Sequence, residues 1–275
     1  TEMRVSQVTC ESDVVANKEA LLSIITVVRN DAKRLVKTID SLAEFYEDER
    51  FEHIVIDGKS SDQTLDFLRK NSRHKNFQYL SEPDNGIYDG MNKGVGLASG
   101  QFLLFLNCGD RMAATPDQID SLLRPTTKAD EADIVCFCSR VYHGAHISIL
   151  RPKLGQLHKM ATSHQSMVFS KKFMQTHLYD IRYRIAADFN LYLSADAERI
   201  LVLASSEPMT DIEAVGVASE NPWQSYKEYL QIAAEKLHGS TKWMVLSRIG
   251  CKAIVLIILK KVLPKAWLNA LKRFA

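Results

Sequence analysis

The feature that most constrains the fold is an alternation that runs from residue 21 through 107: a short apolar run, a polar turn, then a segment of helical periodicity. "LLSIITVV" (21 to 28) is β-branched and too short for a helix, so it predicts a strand buried on both faces. "NDAKRLVKTIDSLAEFY" then places Leu35, Val36, Ile39, Leu42 and Phe45 at helical spacing behind an Asn/Asp cap, which predicts one helix through Phe45. "FEHIVID" predicts a second strand, "SDQTLDFLRK" a second capped helix and "FQYL" a third strand. "YDGMNKGVGLASG" predicts a helix ended by Gly100, and "QFLLFLN" a fourth strand. Strands alternating with helices through short turns predict an α/β fold with a parallel, doubly wound sheet. Such sheets bind ligands beyond the carboxyl ends of their strands.

From about residue 115 the alternation stops. "ADIVCFCSRVYHG" and "HISILR" predict antiparallel or edge strands, and "AADFNLYLSADAE" predicts a helix. "ILVLASSEPMTDIEAVGVAS" reads as strand, turn and strand, followed by a helix at "PWQSYKEYLQIAAEKLHG". The second half is therefore a mixed extension of the first sheet.

The polar clusters fall where strands end: "VVRND", "IDGKSSDQT", "SEPDNG" and "LNCGD". Four successive carboxyl ends thus carry Asn30, Asp57, Asp84 and Asp110. Any one of them has a plain reading as a turn or cap residue. Four at the same end mark a polar cleft. Ser61 and Asp62 are read as an N-cap for the next helix, Gly96 as helix packing and Gly100 as a C-cap.

These segments, with "SHQSMVFSKKF" and "IAADFNLYL", resemble the inverting glycosyltransferases of family 2, which have the GT-A fold. The likeness covers residues 20 to 220 and lies nearest the bacterial enzymes that build O-antigen, colanic acid and capsule repeat units. It implies a catalytic domain over 21 to 220, with a nucleotide-sugar-binding half (21 to 112) and an acceptor half (113 to 220). An N-terminal extension (1 to 20) and a C-terminal helical region (221 to 275) flank that domain. The implied donor is a nucleotide-sugar, with UDP favoured. Thr26, Arg29, Asn30, Asp57 and Ser60 would surround its base and ribose. Asp84, Gly86, Asp89, Asn92 and Lys93 would follow the nucleotide and sugar, although a solvated role for Lys93 is equally open.

"LNCGD" stands where most of the family carries an Asp-x-Asp motif. A hard cation wants oxygen ligands, so Asp110 and Asn107 are the expected holders of Mg²⁺ or Mn²⁺ beside the diphosphate. The Asn at 107 removes one carboxylate from that site. Inverting transfer needs a base for the acceptor hydroxyl, and Asp188 matches the family's catalytic Asp. His164 aligns with a recurring "HQ" pair near the donor sugar or acceptor.

Charge is asymmetric along the chain. Residues 241 to 275 hold eight Lys and Arg and no acid, leaving 27 basic against 33 acidic residues before them. The longest uncharged stretch there, 253 to 259, is far short of a membrane span. Beyond Pro264, Trp267, Leu271 and Phe274 recur opposite Lys265, Lys272 and Arg273. That pattern predicts a basic amphipathic helix on an anionic leaflet, or one packed on the core or a second subunit. A lipid-linked saccharide acceptor, such as a sugar on undecaprenyl diphosphate, would suit such an anchor. Five cysteines without CxxC spacing and an N-terminus without a signal-peptide core predict a cytoplasmic protein at the inner face of the plasma membrane. No nucleic-acid partner is expected.

Two other readings share some features. A sugar nucleotidyltransferase would carry a Gly-rich loop after strand one, and "TVVRNDAKRL" has no glycine. A non-catalytic membrane scaffold on a degenerate transferase fold would account for Asn107 and the basic tail.

Overall fold

The computed structural model describes residues 20–124, 131–155, 159–203, 207–214 and 221–262, with side chains described up to residue 251. The N-terminal extension, apart from Ala20, lies outside the described residues. So does the amphipathic segment from Pro264 to Phe274.

The chain runs through β1 (Leu22–Val28), α1 (Ala32–Asp40), β2 (Phe51–Asp57), α2 (Thr64–Asn71), β3 (Phe77–Ser81), α3 (Ile87–Leu97), β4 (Phe102–Phe105), β5 (Arg111–Met112) and α4 (Pro116–Leu123). It continues through β6 (Ile134–Cys136), β7 (Ser139–His143), β8 (His146–Leu150), β9 (Met167–Ser170), α5 (Lys171–Thr176), α6 (Ala187–Tyr192), β10 (Ile200–Val202), β11 (Thr210–Glu213), α7 (Pro222–Lys236) and α8 (Gly239–Val262). A seven-stranded sheet has the order β10-β6-β9-β4-β1-β2-β3. β1 to β4 are mutually parallel, whereas β9 runs antiparallel to both β4 and β6. A smaller sheet, β5-β11-β7-β8, flanks it.

Strand parity decides which residues face which layer. In β1, Leu22, Ile24 and Val28 join Leu35, Ile39 and Leu68 on the α1/α2 side, while Ile25 joins Tyr88, Met91 and Phe189 on the other. Each such fully buried side chain stabilises the fold by about 1.5–3 kcal/mol over leaving it in water. On the second side α3 lies unusually close to β1. A Cβ on Gly90 would come within 2.7 Å of Val27, and one on Gly94 within 2.5 Å of Ile25. Those two glycines, not Gly96, set the packing, because nothing lies within 4 Å of a Cβ at Gly96.

Several boundaries depart from the sequence reading. The first helix stops at Asp40; the Ser41 hydroxyl donates to Thr38 O and accepts from Met112 N–H, and Phe45 reaches the core on a separate 3₁₀ turn, Ala43–Glu47. α3 ends at Leu97, and Gly100 instead leaves room as the chain enters β4 beside β1, where a Cβ would come within 2.7 Å of the Ser23 amide. "ADIVCFCSRVYHG" splits into β6 and β7, which belong to different sheets. α4, which begins with a Thr115/Gln118 capping box and Pro116 at its first position, and α5, capped by Ser170, went unread in the sequence. α7 and α8 form a hairpin in which Ala233 packs against Val245 and Ile249, so the first turns of the basic region belong to the folded body. Among the described residues no helix is long and apolar enough to cross a membrane.

Candidate active site

The carboxyl ends of β4, β1, β2 and β3 lie side by side along one edge of the large sheet. The loops that leave β1 and β2 there are tied to each other. The Asn30 amide donates to Ser60 Oγ (2.7 Å), and its side-chain Oδ1 accepts from the Ser61 amide (2.7 Å). Asn30 (φ 51°) and Lys59 (φ 58°) are the only non-glycine residues with positive φ among the described residues. Such backbone costs on the order of 1 kcal/mol or more and persists only where its surroundings hold it.

Asp57 is the hub of this arrangement. Its carboxylate, 0% exposed, accepts from the Ser60 amide (3.1 Å), the Ser60 hydroxyl and the Ser81 hydroxyl (2.6 Å). It turns inward to fix three loops, where the sequence reading put it on the base or ribose. Asp84 is the more open carboxylate: it lies over Gly58, beside Arg29, and its Oδ1 accepts from the Gly86 amide (3.0 Å). Gly86 (φ 118°) occupies backbone that favours glycine and starts α3. Arg29 is exposed and forms no ion pair among the described residues.

Four expected contact residues are committed to the protein itself. Thr26 shares parity with Ile24 and is sealed in the core. The Tyr46 hydroxyl donates to His53 Nδ1 (2.9 Å), His53 Nε2–H to Thr26 (3.0 Å), and Thr26 to Leu106 O (2.8 Å), in the tautomer that satisfies all three. Asn92 holds both backbone groups of Tyr179, at 2.9 Å each. Lys93 binds Pro83 O (2.6 Å) and Glu82 (2.8 Å), closing the loop before α3. His164 is buried against Phe105, hydrogen-bonds the Tyr179 hydroxyl (2.6 Å), and is pushed down to about 4 by burial. It is a neutral core histidine at neutral pH. Asp89 accepts from the Asn85 amide (2.9 Å) and so shapes the same loop while staying partly exposed.

The "LNCGD" turn after β4 offers a different environment. Asp110 is 4% exposed; one oxygen accepts from Gln165 Nε2 (2.9 Å) and the other from the Glu213 amide (3.1 Å). Burial nevertheless raises its pKa to about 6. Gly109 (φ 100°) lies beneath the Arg34 guanidinium, leaving no room for a side chain. Asn107 Oδ1 is buried and accepts no hydrogen bond. An oxygen without a donor in the same turn as a buried carboxylate is chemistry that fits a hard cation. No cluster of three His, Cys, Asp or Glu surrounds it among the described residues, so protein would supply only part of the shell.

Asp188 lies in the first turn of α6, half-buried, with Oδ1 accepting from the Phe189 amide (2.8 Å). Burial raises its pKa to about 6, against the neighbouring Tyr88 hydroxyl, and the charge of Glu228 adds to the rise. The single Tyr88 hydroxyl proton points to Ile185 O (2.7 Å), which joins α3 to the approach of α6. A cavity of about 90 Å³ opens there, between Asn85–Asp89 and Ile181–Arg184. Two carboxylates held near pH 6, Asp110 buried after β4 and Asp188 half-buried in α6, are the kind of perturbed groups found at chemical sites.

Sequence reasoning missed Tyr88, Arg34, Glu213 and Glu228 at this edge. Gln165 was visible only as half of the "HQ" pair. The side chain that reaches the cleft is the Gln, not the His.

A parallel-rich sheet whose strand ends carry interlocked polar loops, with two carboxylates held near pH 6, is the frame of a ligand-binding α/β enzyme. Residues 23–189, more than half of the chain, match Glycosyl transferase family 2, and the chain belongs to that family. It is 32% identical to an uncharacterized glycosyltransferase of Mycobacterium tuberculosis over 63% of this chain and 68% of that one. It is 27% identical to a PGL/p-HBAD biosynthesis glycosyltransferase of Mycobacterium bovis, over 90% and 93%. Among solved structures, S. aureus TarS in complex with UDP aligns with a TM-score of 0.62 at 20% identity, covering 83% of this chain and 70% of that one. The mannosyltransferase PcManGT of Pyrobaculum calidifontis, in complex with GDP-Man and Mn²⁺, aligns with a TM-score of 0.56 at 14% identity, over 90% and 78%. The fold is therefore GT-A and the protein is a glycosyltransferase.

Proposed function

We propose that the enzyme transfers one sugar, with inversion, from a nucleotide-sugar to a lipid-linked saccharide during bacterial surface polysaccharide synthesis. The observation that carries this reading is Asp188: a half-buried carboxylate with a pKa near 6 that faces Tyr88, a residue lining the cavity of about 90 Å³. At neutral pH it is mostly ionised and still basic enough to accept a proton. The acceptor oxygen attacks the anomeric carbon as its proton passes to Asp188. The bond from that carbon to the diphosphate breaks on the opposite face, and the nucleoside diphosphate leaves with the electron pair.

On the donor side, Asp84, Arg29 and Asn30 are the groups open to the nucleotide, while Asp57 and Ser60 keep their loops in register. Asp110 and Asn107 would hold a Mg²⁺ or Mn²⁺ ion. When bound, that ion neutralises charge on the departing diphosphate. Solved neighbours hold UDP, UDP-GlcNAc or GDP-mannose, so the donor panel spans both nucleotides, with UDP-sugars expected to act. Incubating the purified chain with UDP-glucose, UDP-GlcNAc, UDP-galactose and GDP-mannose plus Mn²⁺ should raise the melting temperature and release the nucleoside diphosphate (UDP, or GDP from GDP-mannose) with at least one of them. No shift and no release with any donor overturns the reading.

The acceptor side of the proposal needs contact with a membrane. Val245 and Ile249 belong to the α7/α8 hairpin, so the segment available for docking lies beyond them. Removing residues 263–275 should release the protein from liposomes containing anionic lipid and leave donor hydrolysis intact. Binding that survives the deletion counts against an anchor at the tail.

A further inference from the structure

The helix that carries the base has no cap of its own. α6 is six residues long, its N-cap is Ala186, and no side chain caps it from within its own segment. The missing acceptor arrives from α7, more than forty residues later in the chain. Glu228 is 7% exposed; its Oε2 accepts from the amides of Ile185 (2.8 Å) and Ala186 (2.9 Å). Its Oε1 accepts from the Arg184 amide (3.2 Å) and from Gln224 Nε2 (3.1 Å). No Lys or Arg pairs with Glu228 among the described residues. A buried carboxylate without a cation is costly unless donors converge on it, and amides at a helix N-terminus are suited to the task. Next to it, Tyr229 packs on Phe189 (4.8 Å), so α7 touches α6 on both sides of Asp188.

We propose that Glu228 is a positioning residue for transfer: its carboxylate gathers the Arg184, Ile185 and Ala186 amides and thereby fixes the turn from which Asp188 reaches the acceptor. The proposal rests on the reading of Asp188 as the base. The groups that face Asp188 are Tyr88 from α3, Tyr179 from the segment after α5, and Glu228 and Tyr229 from α7. Burial drives all three tyrosines well above neutral pH, so Glu228 is the charged member of the set. Its negative charge disfavours a second anion nearby and keeps Asp188 a stronger base.

Two variants separate the charge from the reach. Glu228→Gln keeps the size and loses the charge; Glu228→Asp keeps the charge and shortens the arm. In the full chain, the Asp188 carboxyl carbon is titrated by ¹³C NMR, its resonance assigned by its loss in Asp188→Asn. Amide exchange at 184–186 and turnover with the donor panel are measured alongside. Glu228→Gln should move the Asp188 midpoint to lower pH and speed exchange at the three amides at least about tenfold. It should also lower kcat about 10- to 100-fold, with donor KM within about twofold, as expected for a misplaced base. Glu228→Asp should keep the midpoint, loosen the amides and lower kcat. A Gln variant with wild-type midpoint and kcat overturns the proposal, even if its amides exchange faster. If the Gln variant does not fold, wild-type kcat in Glu228→Asp has the same force. Near wild-type turnover of Asp188→Asn would remove the base reading and this proposal together. An inactive Asp188→Asn beside an unaltered Glu228→Gln removes this proposal alone.

Discussion

Asp188→Asn should lower turnover by roughly 10²- to 10⁴-fold, the range that a positioned general base contributes, while the donor Kd changes less than about twofold. Steady-state UDP release and calorimetric donor titration read the two quantities. In the wild type, kcat/KM should fall as pH drops through about 6, because protonated Asp188 cannot accept the acceptor's proton. The same substitution should stabilise the fold. The folded-state pKa lies above the ordinary 3.8, so between pH 4 and 6 the native state binds more protons than the unfolded chain, and stability declines as pH rises through that window. At pH 7.5 the ionised carboxylate therefore costs folding on the order of 1–3 kcal/mol. Asn removes the cost, and thermal melts should show a gain at pH 7.5 that fades towards pH 4. Retained turnover, or a variant less stable at pH 7.5 than at pH 4 relative to wild type, would sink the assignment.

Asp110→Ala is the second large effect. Turnover should fall about 10²- to 10³-fold, as when one preorganised contact to developing charge is lost. Mn²⁺ should no longer strengthen UDP binding in calorimetry. Because burial holds Asp110 near pH 6, protons should compete with the cation below that pH, and cation affinity should weaken as pH falls through 6. Asn107→Asp is the converse arm. It restores a second carboxylate at a buried oxygen that now has no donor, and should tighten Mn²⁺ binding about tenfold, since ligand charge sets affinity at oxygen sites. An Asp110→Ala enzyme with wild-type Mn²⁺ dependence refutes this picture of the turn.

The first half, β1 to β4, was largely legible because its signals are local. Each strand from β1 to β4 is a short apolar run closed by its own polar turn, and each helix follows at once. Helix ends were less legible where a distant partner decides them. Ser41 ends α1 partly by bonding Met112, which no reading of 32–45 contains. "ADIVCFCSRVYHG" looks continuous, yet Phe137 and Cys138 carry the chain from one sheet to the other. Polar residues were harder still, since sequence gives the residue type and not its face. Thr26 could have been placed by parity with Ile24 and Val28. Asn92 and His164 could not, because their partner is Tyr179, a residue with no motif around it. Glu228 carries no local sign at all; in sequence it is one more acid on an amphipathic helix.

That long-range dependence sets an order of assembly. β1, β2, β3 and α3 pair among residues within the first hundred, so the polar edge at their carboxyl ends is built from local contacts. Glu228 lies 43 residues beyond the Ile185 amide it holds, and closing so long a loop comes late. The stance of the turn before Asp188 therefore depends on a segment made more than forty residues later.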